Sequence, residues 1–183
     1  MKNYQILKNK KYSLGEYRLV PIRDEDKFLI MKWRNDQIDF LRQDKKLTNQ
    51  NQINYFKKTI SKLFDQQYPD QLLFSFLKKN ICVGYGGLVH INWKNKNAEI
   101  SFIMDTKQEN IFFNLYWKTF LTLIDQLAFK ELNFKKIQTY AFDLRPKLYV
   151  VLEQCGYKKE KVLVKSYNYN DNLIDIVIHS KIK

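Results

Sequence analysis

One acidic side chain lies inside an otherwise apolar stretch of this sequence. In residues 98–104, AEISFIM, every second side chain is apolar, so this stretch is predicted to be a strand. Glu99 then shares a face with Ser101 and Ile103. Such a carboxylate is either a hydrogen-bonded or salt-bridged strand acid, or a base whose pKa is raised by partial burial. A raised pKa suits proton abstraction near neutral pH.

The surrounding elements form one predicted domain that holds Glu99 in the middle of a sheet. Residues 1–16 are polar and are predicted to form an irregular N-terminal arm, followed by a single domain over residues 17–183. Apolar spacing predicts seven strands and four helices, in the order strand, helix, helix, three strands, helix, strand, helix and two strands. Glu99 lies on the fourth strand, which a polar turn at residues 94–97 joins to the third.

The charge favours anionic partners without selecting one. The chain has 32 Lys and Arg against 19 Asp and Glu, a net charge of +13. Such a field attracts nucleic acid, anionic lipid or phosphate-bearing small molecules. The basic residues are spread along the chain with no basic-aromatic motif, so no specific nucleic-acid binding is expected.

The lengths of the apolar stretches and the placement of the cysteines predict a cytoplasmic protein without a membrane partner. The N-terminal residues have no apolar core of a signal peptide, and no later stretch reaches membrane-spanning length. The two cysteines, Cys82 and Cys155, lie in apolar patterns of different elements, which indicates buried thiols in a reduced compartment. No metal site is expected.

Three local sequences resemble the GNAT acyl-CoA N-acyltransferase superfamily. They are AEISFIMD at 98–105, the run LIDQLAFKELNFKKIQTYAFDLRPKLYVVLEQCGYKKE at 123–160, and MKWRND at 31–36. The last is similar to a branch with bacterial amino-sugar and ribosomal-protein N-acetyltransferases. The resemblance implies an α+β, three-layer (α/β) fold: a mixed, mostly antiparallel seven-stranded sheet flanked by about four helices.

The resemblance also implies where acetyl-CoA, the expected co-substrate, would bind. In the family the fourth and fifth strands splay apart, and pantetheine pairs with the backbone of the fourth strand as an added strand would. The corresponding backbone here is that of Phe102, Ile103 and Met104.

The segment that would bind the CoA pyrophosphate departs from the family pattern. The family's pyrophosphate loop is glycine-rich, because glycines let backbone N–H groups approach the phosphates. This chain has no glycine between Gly87 and Gly156. We therefore expect side chains to contact the anion, with Lys107 as one candidate. Arg145 either contacts a CoA phosphate or pairs with Asp143.

The resemblance assigns two catalytic candidates. Some members use a glutamate on the fourth strand as general base, and Glu99 matches that position. Many members use a tyrosine of the following helix to protonate the leaving thiolate. That position aligns with Leu152, and Tyr149 one turn earlier is the candidate replacement. The alternative is that Tyr149 is an amphipathic tyrosine at the helix surface.

Three residues are candidates for binding the acceptor. Arg34 would hold a phosphate or carboxylate, Trp93 would stack on a sugar or base, and His90 lies on the strand before Glu99. The structural alternatives are a surface arginine, a core tryptophan and a satisfied strand histidine.

The resulting hypothesis is an acetyl-CoA-dependent N-acetyltransferase. A primary amine, in a nucleotide-linked amino sugar, would attack the thioester directly while Glu99 or a water takes its proton. The partner would be this small-molecule amine acceptor, and a homodimer is left open. The alternatives are a ribosomal-protein-like N-terminal acetyltransferase and a catalytically degenerate GNAT-fold binding protein. A polyamine acceptor is disfavoured by the net charge of +13.

Overall fold

The computed structural model describes residues 2–183 and contains one mixed sheet of eight strands. The spatial order is β1-β2-β3-β4-β5-β6-β8-β7, and all neighbours are antiparallel except β5 and β6. The strands are β1 Tyr12–Leu14, β2 Tyr17–Pro21, β3 Leu72–Lys78, β4 Ile81–Asn92, β5 Asn97–Met104, β6 Lys136–Phe142, β7 Lys158–Tyr169 and β8 Asn172–Ile182.

Four helical regions accompany the sheet, as predicted. They are α1 Lys27–Asp36; α2 Asn49–Tyr55, continued by a π-helical turn Phe56–Ile60 and the short α3 Ser61–Leu63; α4 Glu109–Asp125, continued by a π-helical turn Gln126–Glu131; and α5 Pro146–Gln154. Over residues 2–183, none of these helices combines the length and the apolar character needed to cross a bilayer.

The extra strand lies in the segment that was predicted to be an irregular arm. Tyr12 of β1 pairs with Leu19 of β2, and its hydroxyl donates to Glu131 at 2.5 Å. Before β1, Tyr4 is buried and its hydroxyl donates to the Leu73 carbonyl at 2.7 Å. The prediction of seven strands was therefore one short, because these tertiary contacts order a segment with little strand character of its own.

The helices pack on opposite faces of the sheet. Successive side chains of a strand point to opposite faces. The Ser75 hydroxyl donates to Asp26, in the turn before α1, at 2.6 Å, whereas the ring of Phe76 packs edge-on against Phe120 of α4. Helix α1 therefore covers one face and α4 the other, which gives the predicted three layers.

Strands β5 and β6 pair for only three residues and then part. Their parallel pairing ends with Glu99 opposite Gln138. Beyond that point β5 follows β4 as far as Met104, and β6 follows β8 as far as Phe142. The predicted splay between these two strands is confirmed, and Glu99 lies at its apex.

Candidate active site

A cavity of about 430 Å³ occupies the gap between the parted strands. Its walls come from β5, β6, the end of β4, α1 and the chain that follows it, the residues just before β3, one side of α4 and the beginning of α5. The charged side chains that line it are Arg34, Arg42, Asp70, Glu99 and Arg145, and His90 joins them. The cavity therefore brings together residues that are far apart in the sequence.

Glu99 is the acidic group at the narrow end of this cavity. Its side chain is only 12% exposed, and its carboxylate forms an ion pair with the guanidinium of Arg42. Burial raises the pKa of Glu99 above its ordinary value, and the positive charges of Arg42 and His90 oppose that rise. Glu99 thus combines features of both sequence-based interpretations, since it is a salt-bridged strand acid and is also partly buried. The environment is that of a candidate base.

A β-bulge brings His90 to the same cavity. The regular pairing of β4 with β5 is interrupted between Val89 and Asn92, and His90 has a φ of 50°. Val89 is paired directly with Glu99. An extra residue in one strand of a pair redirects side chains locally. His90 consequently lines the cavity with its neighbour Val89 instead of pointing away from it.

Arg34 is a half-buried cation in the cavity wall. Its Nη1 donates to the Tyr85 hydroxyl at 2.7 Å and its Nε to Gln43 at 3.0 Å. The interaction with Tyr85 raises the pKa of Arg34 more than burial lowers it, so the side chain stays charged. Nη2 is the nitrogen that remains for a ligand.

The backbone of β5 offers fewer groups to a pantetheine arm than was predicted. Asp105 donates its N–H to the Val83 carbonyl. Because antiparallel pairs alternate, Ile103 also directs its backbone towards β4, whereas Phe102 and Met104 direct theirs towards the gap. The Met104 carbonyl accepts from the Gln37 side chain at 2.9 Å. The N–H and C=O of Phe102 are left for a ligand, whereas Met104 is fully buried and does not line the cavity.

Three buried donors support the fit of an acyl-CoA in this gap. Trp117 Nε1, Thr139 Oγ1 and Arg145 Nε are each buried without a hydrogen-bond partner among residues 2–183, and all three residues line the cavity. A buried donor without a partner costs about 1–3 kcal/mol, so native proteins seldom leave several together. Three such donors beside one cavity fit a ligand rich in carbonyl and phosphate oxygens, but each atom is itself enclosed, so contact with a ligand requires a small side-chain movement.

Acidic side chains occupy the region where the phosphates were expected. Asp105 accepts from the backbone N–H of Lys107 at 3.1 Å, at the turn that leads into α4. Glu109, in the first turn of α4, pairs with Lys147 at 2.8 Å and approaches Arg145 at 3.7 Å. These carboxylates take the positions that favour an anion at a helix start. A CoA diphosphate would be held here by Arg145 and Lys147, not by a backbone cradle.

Arg145 closes the wide end of the gap. Its Nη2 donates to the Gln37 side chain at 3.2 Å, and its guanidinium lies 3.7 Å from the centre of the Phe40 ring. It does not pair with Asp143, which was the predicted alternative. Asp143 instead accepts from Tyr149 at 2.9 Å.

Four of the predicted site residues lie outside the cavity lining: Tyr149, Trp93, Lys107 and Met104. Tyr149 stacks on His179 of β8 at 5.1 Å, while its neighbour Leu148 faces the cavity. Trp93 donates to the Pro69 carbonyl at 2.8 Å and packs against Phe134. Lys107, a third candidate, is exposed near the start of α4 and is also absent from the lining.

Sequence reasoning missed Arg42, Trp117 and Thr139. Arg42 lies in the polar chain between α1 and α2, and nothing in its local pattern distinguishes it from other exposed basic residues. Trp117 and Thr139 fall on the regular apolar patterns of α4 and β6, where a packing role is the ordinary interpretation. Only their missing hydrogen-bond partners identify them.

Residues 19–178 match the sequence profile described as Acetyltransferase (GNAT) domain. Among solved structures, the spermidine N-acetyltransferase from Vibrio cholerae in complex with CoA and spermine is similar, with a TM-score of 0.77 and 18% identity over 92% of this chain and 96% of that one. The dodecameric structure of spermidine N-acetyltransferase from Vibrio cholerae in an intermediate state has a TM-score of 0.72 and 19% identity, over 92% and 95% of the two chains. Comparison with curated protein sequences gives no match.

Proposed function

The chain belongs to the family of acetyltransferase (GNAT) domains, and we propose that it transfers the acetyl group of acetyl-CoA to the primary amine of a nucleotide-linked amino sugar. The family match makes it an acyltransferase that uses acetyl-CoA as co-substrate. The observation that carries the rest is the cavity between β5 and β6, which combines Glu99 with the backbone of Phe102 that β4 leaves unpaired.

The proposed reaction is a direct attack on the thioester. The amine nitrogen forms a bond to the acetyl carbon, the carbon–sulfur bond breaks, and the sulfur leaves as a thiolate. The attacking amine loses a proton, which Glu99 accepts either directly or through one water. Burial supports this role because it raises the pKa of Glu99, and a stronger base removes the proton more readily.

The charges of the cavity favour an acceptor with an anionic group. Arg34 and Arg42 line it together with the carboxylates Asp70 and Glu99, and Nη2 of Arg34 is open to an anion, while Arg145 belongs to the CoA end. A polyamine needs several acidic partners, whereas a phosphate is well matched by planar guanidinium groups. The similar solved structures are spermidine N-acetyltransferases, but at 18–19% identity they support the fold alone.

Two further statements belong to this proposal. A cytoplasmic location fits Cys82 and Cys155, which are both free thiols. Association into a homodimer remains a prediction, to be checked by the mass of the protein in solution.

A thiol-release assay tests the function. Purified protein is mixed with acetyl-CoA and one of three amines: a uridine diphosphate amino sugar, a peptide with a free N-terminus, or spermidine. The proposal predicts the fastest CoA release with the amino sugar. A preference for the peptide would support the N-terminal acetyltransferase alternative, and a preference for spermidine would make the acceptor assignment wrong. Binding of CoA without transfer to any amine would favour a degenerate binding protein.

A further inference from the structure

The ion pair between Arg42 and Glu99 joins two residues with very different exposure. The Arg42 side chain is 45% exposed, whereas that of Glu99 is 12% exposed. The Arg42 guanidinium also lies over the ring of Tyr140, 4.5 Å from its centre. The arginine therefore reaches in from the solvent side and covers the carboxylate.

The backbone that carries Arg42 is held in place by neighbouring contacts. Gln43 accepts from Arg34 at 3.0 Å and donates to Asn35 at 3.2 Å. Asn35 also binds the backbone of Leu47, accepting from its N–H at 2.7 Å and donating to its carbonyl at 2.9 Å. Rotation of the long Arg42 side chain can therefore uncover Glu99 without movement of the segment.

The pair conflicts with the role of Glu99 as a base. A carboxylate held by a guanidinium is a weaker base, because the positive charge favours its ionised form. The same charge repels an acceptor that arrives as an ammonium ion. Arg34 and Arg42 line the same cavity, and Nη2 of Arg34 is available. A phosphate bound to Arg34 is therefore held in the cavity that contains the Arg42–Glu99 pair.

We propose that Arg42 is an anion-operated clamp on Glu99. In the free protein its guanidinium covers the carboxylate. A phosphate or carboxylate on the acceptor takes over the guanidinium together with Arg34, and Glu99 is then free to receive the acceptor's amine. Acceptors that lack an anionic group leave the clamp closed. This inference rests on the proposed function, and it makes Arg42 a specificity-determining residue for that reaction.

The clamp is tested in the protein without CoA or acceptor. The Glu99 side-chain carboxyl is titrated by NMR in protein with ¹³C-labelled glutamate, and the Glu99→Gln spectrum assigns its signal. Inorganic phosphate is the probe, and sodium chloride of equal ionic strength controls for screening. The charged and titratable groups that share the cavity with Glu99 are Arg34, Arg42, Asp70, His90, Tyr140 and Arg145.

Phosphate is expected to raise the pKa of Glu99 by about 1 in the wild-type protein, since it withdraws an adjacent positive charge. In Arg42→Gln the pKa should already be raised by about 1 without phosphate, and phosphate should add little. Arg42→Lys should retain part of the response. Arg18→Gln, which alters a half-exposed arginine of β2 bound to Asn80, should behave as wild type.

Two results would overturn the clamp. One is a Glu99 pKa in Arg42→Gln equal to that of the wild type, which would mean that the pair does not form in solution. The other is a phosphate response that equals the chloride response, or that persists undiminished in Arg42→Gln. Neither depends on turnover, so the clamp and the proposed function fail separately.

A kinetic comparison extends the test to the reaction. Ethanolamine and O-phosphoethanolamine are matched amines that differ only by a phosphate. The wild type should favour the phosphorylated amine, and Arg42→Gln should reduce that preference about tenfold or more, since a charge-assisted contact contributes about 1.5–3 kcal/mol. An unchanged preference in Arg42→Gln would contradict the clamp. If neither amine is acetylated, the result concerns only the choice of acceptor. The NMR titration alone then tests the clamp.

Discussion

Replacing Glu99 by glutamine removes the proposed base and, with it, the ion pair to Arg42. The amide keeps the shape of the side chain but cannot take a proton from the amine. Burial raises the pKa of Glu99, which means that the folded state disfavours the ionised carboxylate. That destabilisation is present above the folded-state pKa and disappears below the unfolded-state pKa. Glu99→Gln should therefore fold with undiminished stability at neutral pH.

The expected loss is in the rate. A positioned general base contributes at least about 10²-fold, which corresponds to about 2.7 kcal/mol of activation free energy. The wild-type kcat/KM should fall as the pH drops through the raised pKa of Glu99, because protonation removes the base. In Glu99→Gln this acidic limb should be lost, while the affinity for acetyl-CoA stays almost unchanged.

The assay is CoA release across pH 4–9, together with calorimetric binding of acetyl-CoA and a melting curve. Glu25→Gln is the matched control, since Glu25 is an exposed carboxylate paired with Arg23. The reasoning is refuted if Glu99→Gln turns over within a few-fold of wild type at every pH. A lowered melting temperature would indicate a structural role instead.

Three further substitutions probe the rest of the cavity. Arg34→Ala should raise the acceptor KM about ten- to a hundredfold, because one charge-assisted contact of about 1.5–3 kcal/mol is lost. The KM for acetyl-CoA should stay unchanged. Equal effects on both KM values would indicate misfolding. Glu109→Gln should free Arg145 and Lys147 for the diphosphate and strengthen CoA binding up to about fivefold by calorimetry. Weaker binding would show that Glu109 does not compete with phosphate. Trp117→Phe should weaken CoA binding by about 0.5–1.5 kcal/mol without lowering the melting temperature, since its Nε1 has no protein partner. Unchanged CoA affinity would rule out this donor as a ligand contact.

The order of the elements could be predicted because each buried stretch has its own apolar period. The alternation of residues 98–104 predicted β5, the face of Glu99 and the partial burial of that carboxylate, and the structure bears these out. Strand β1 could not be found in this way. Tyr12 is ordered by β2 and by Glu131, a residue 119 positions later in the sequence.

The electrostatics of the site depend on contacts that local patterns do not contain. Arg42 and Glu99 are 57 residues apart, and the pair arises only when the chain after α1 passes over the gap. Tyr149 was placed by counting along a helix, yet each residue turns the helix by about 100°. Its neighbour Leu148 faces the cavity instead, and Tyr149 faces β8.

Acetyl transfer itself is tested most directly by mass spectrometry of the acceptor. Wild-type protein and Glu99→Gln are each incubated with acetyl-CoA labelled in its acetyl group and with a uridine diphosphate amino sugar. Acetyl transfer to the amine predicts that the label appears on the sugar nitrogen, about 10²-fold more slowly in Glu99→Gln. Label that stays entirely on CoA, or that reaches the amine equally fast with both proteins, would contradict an acetyltransferase that uses Glu99 as its base.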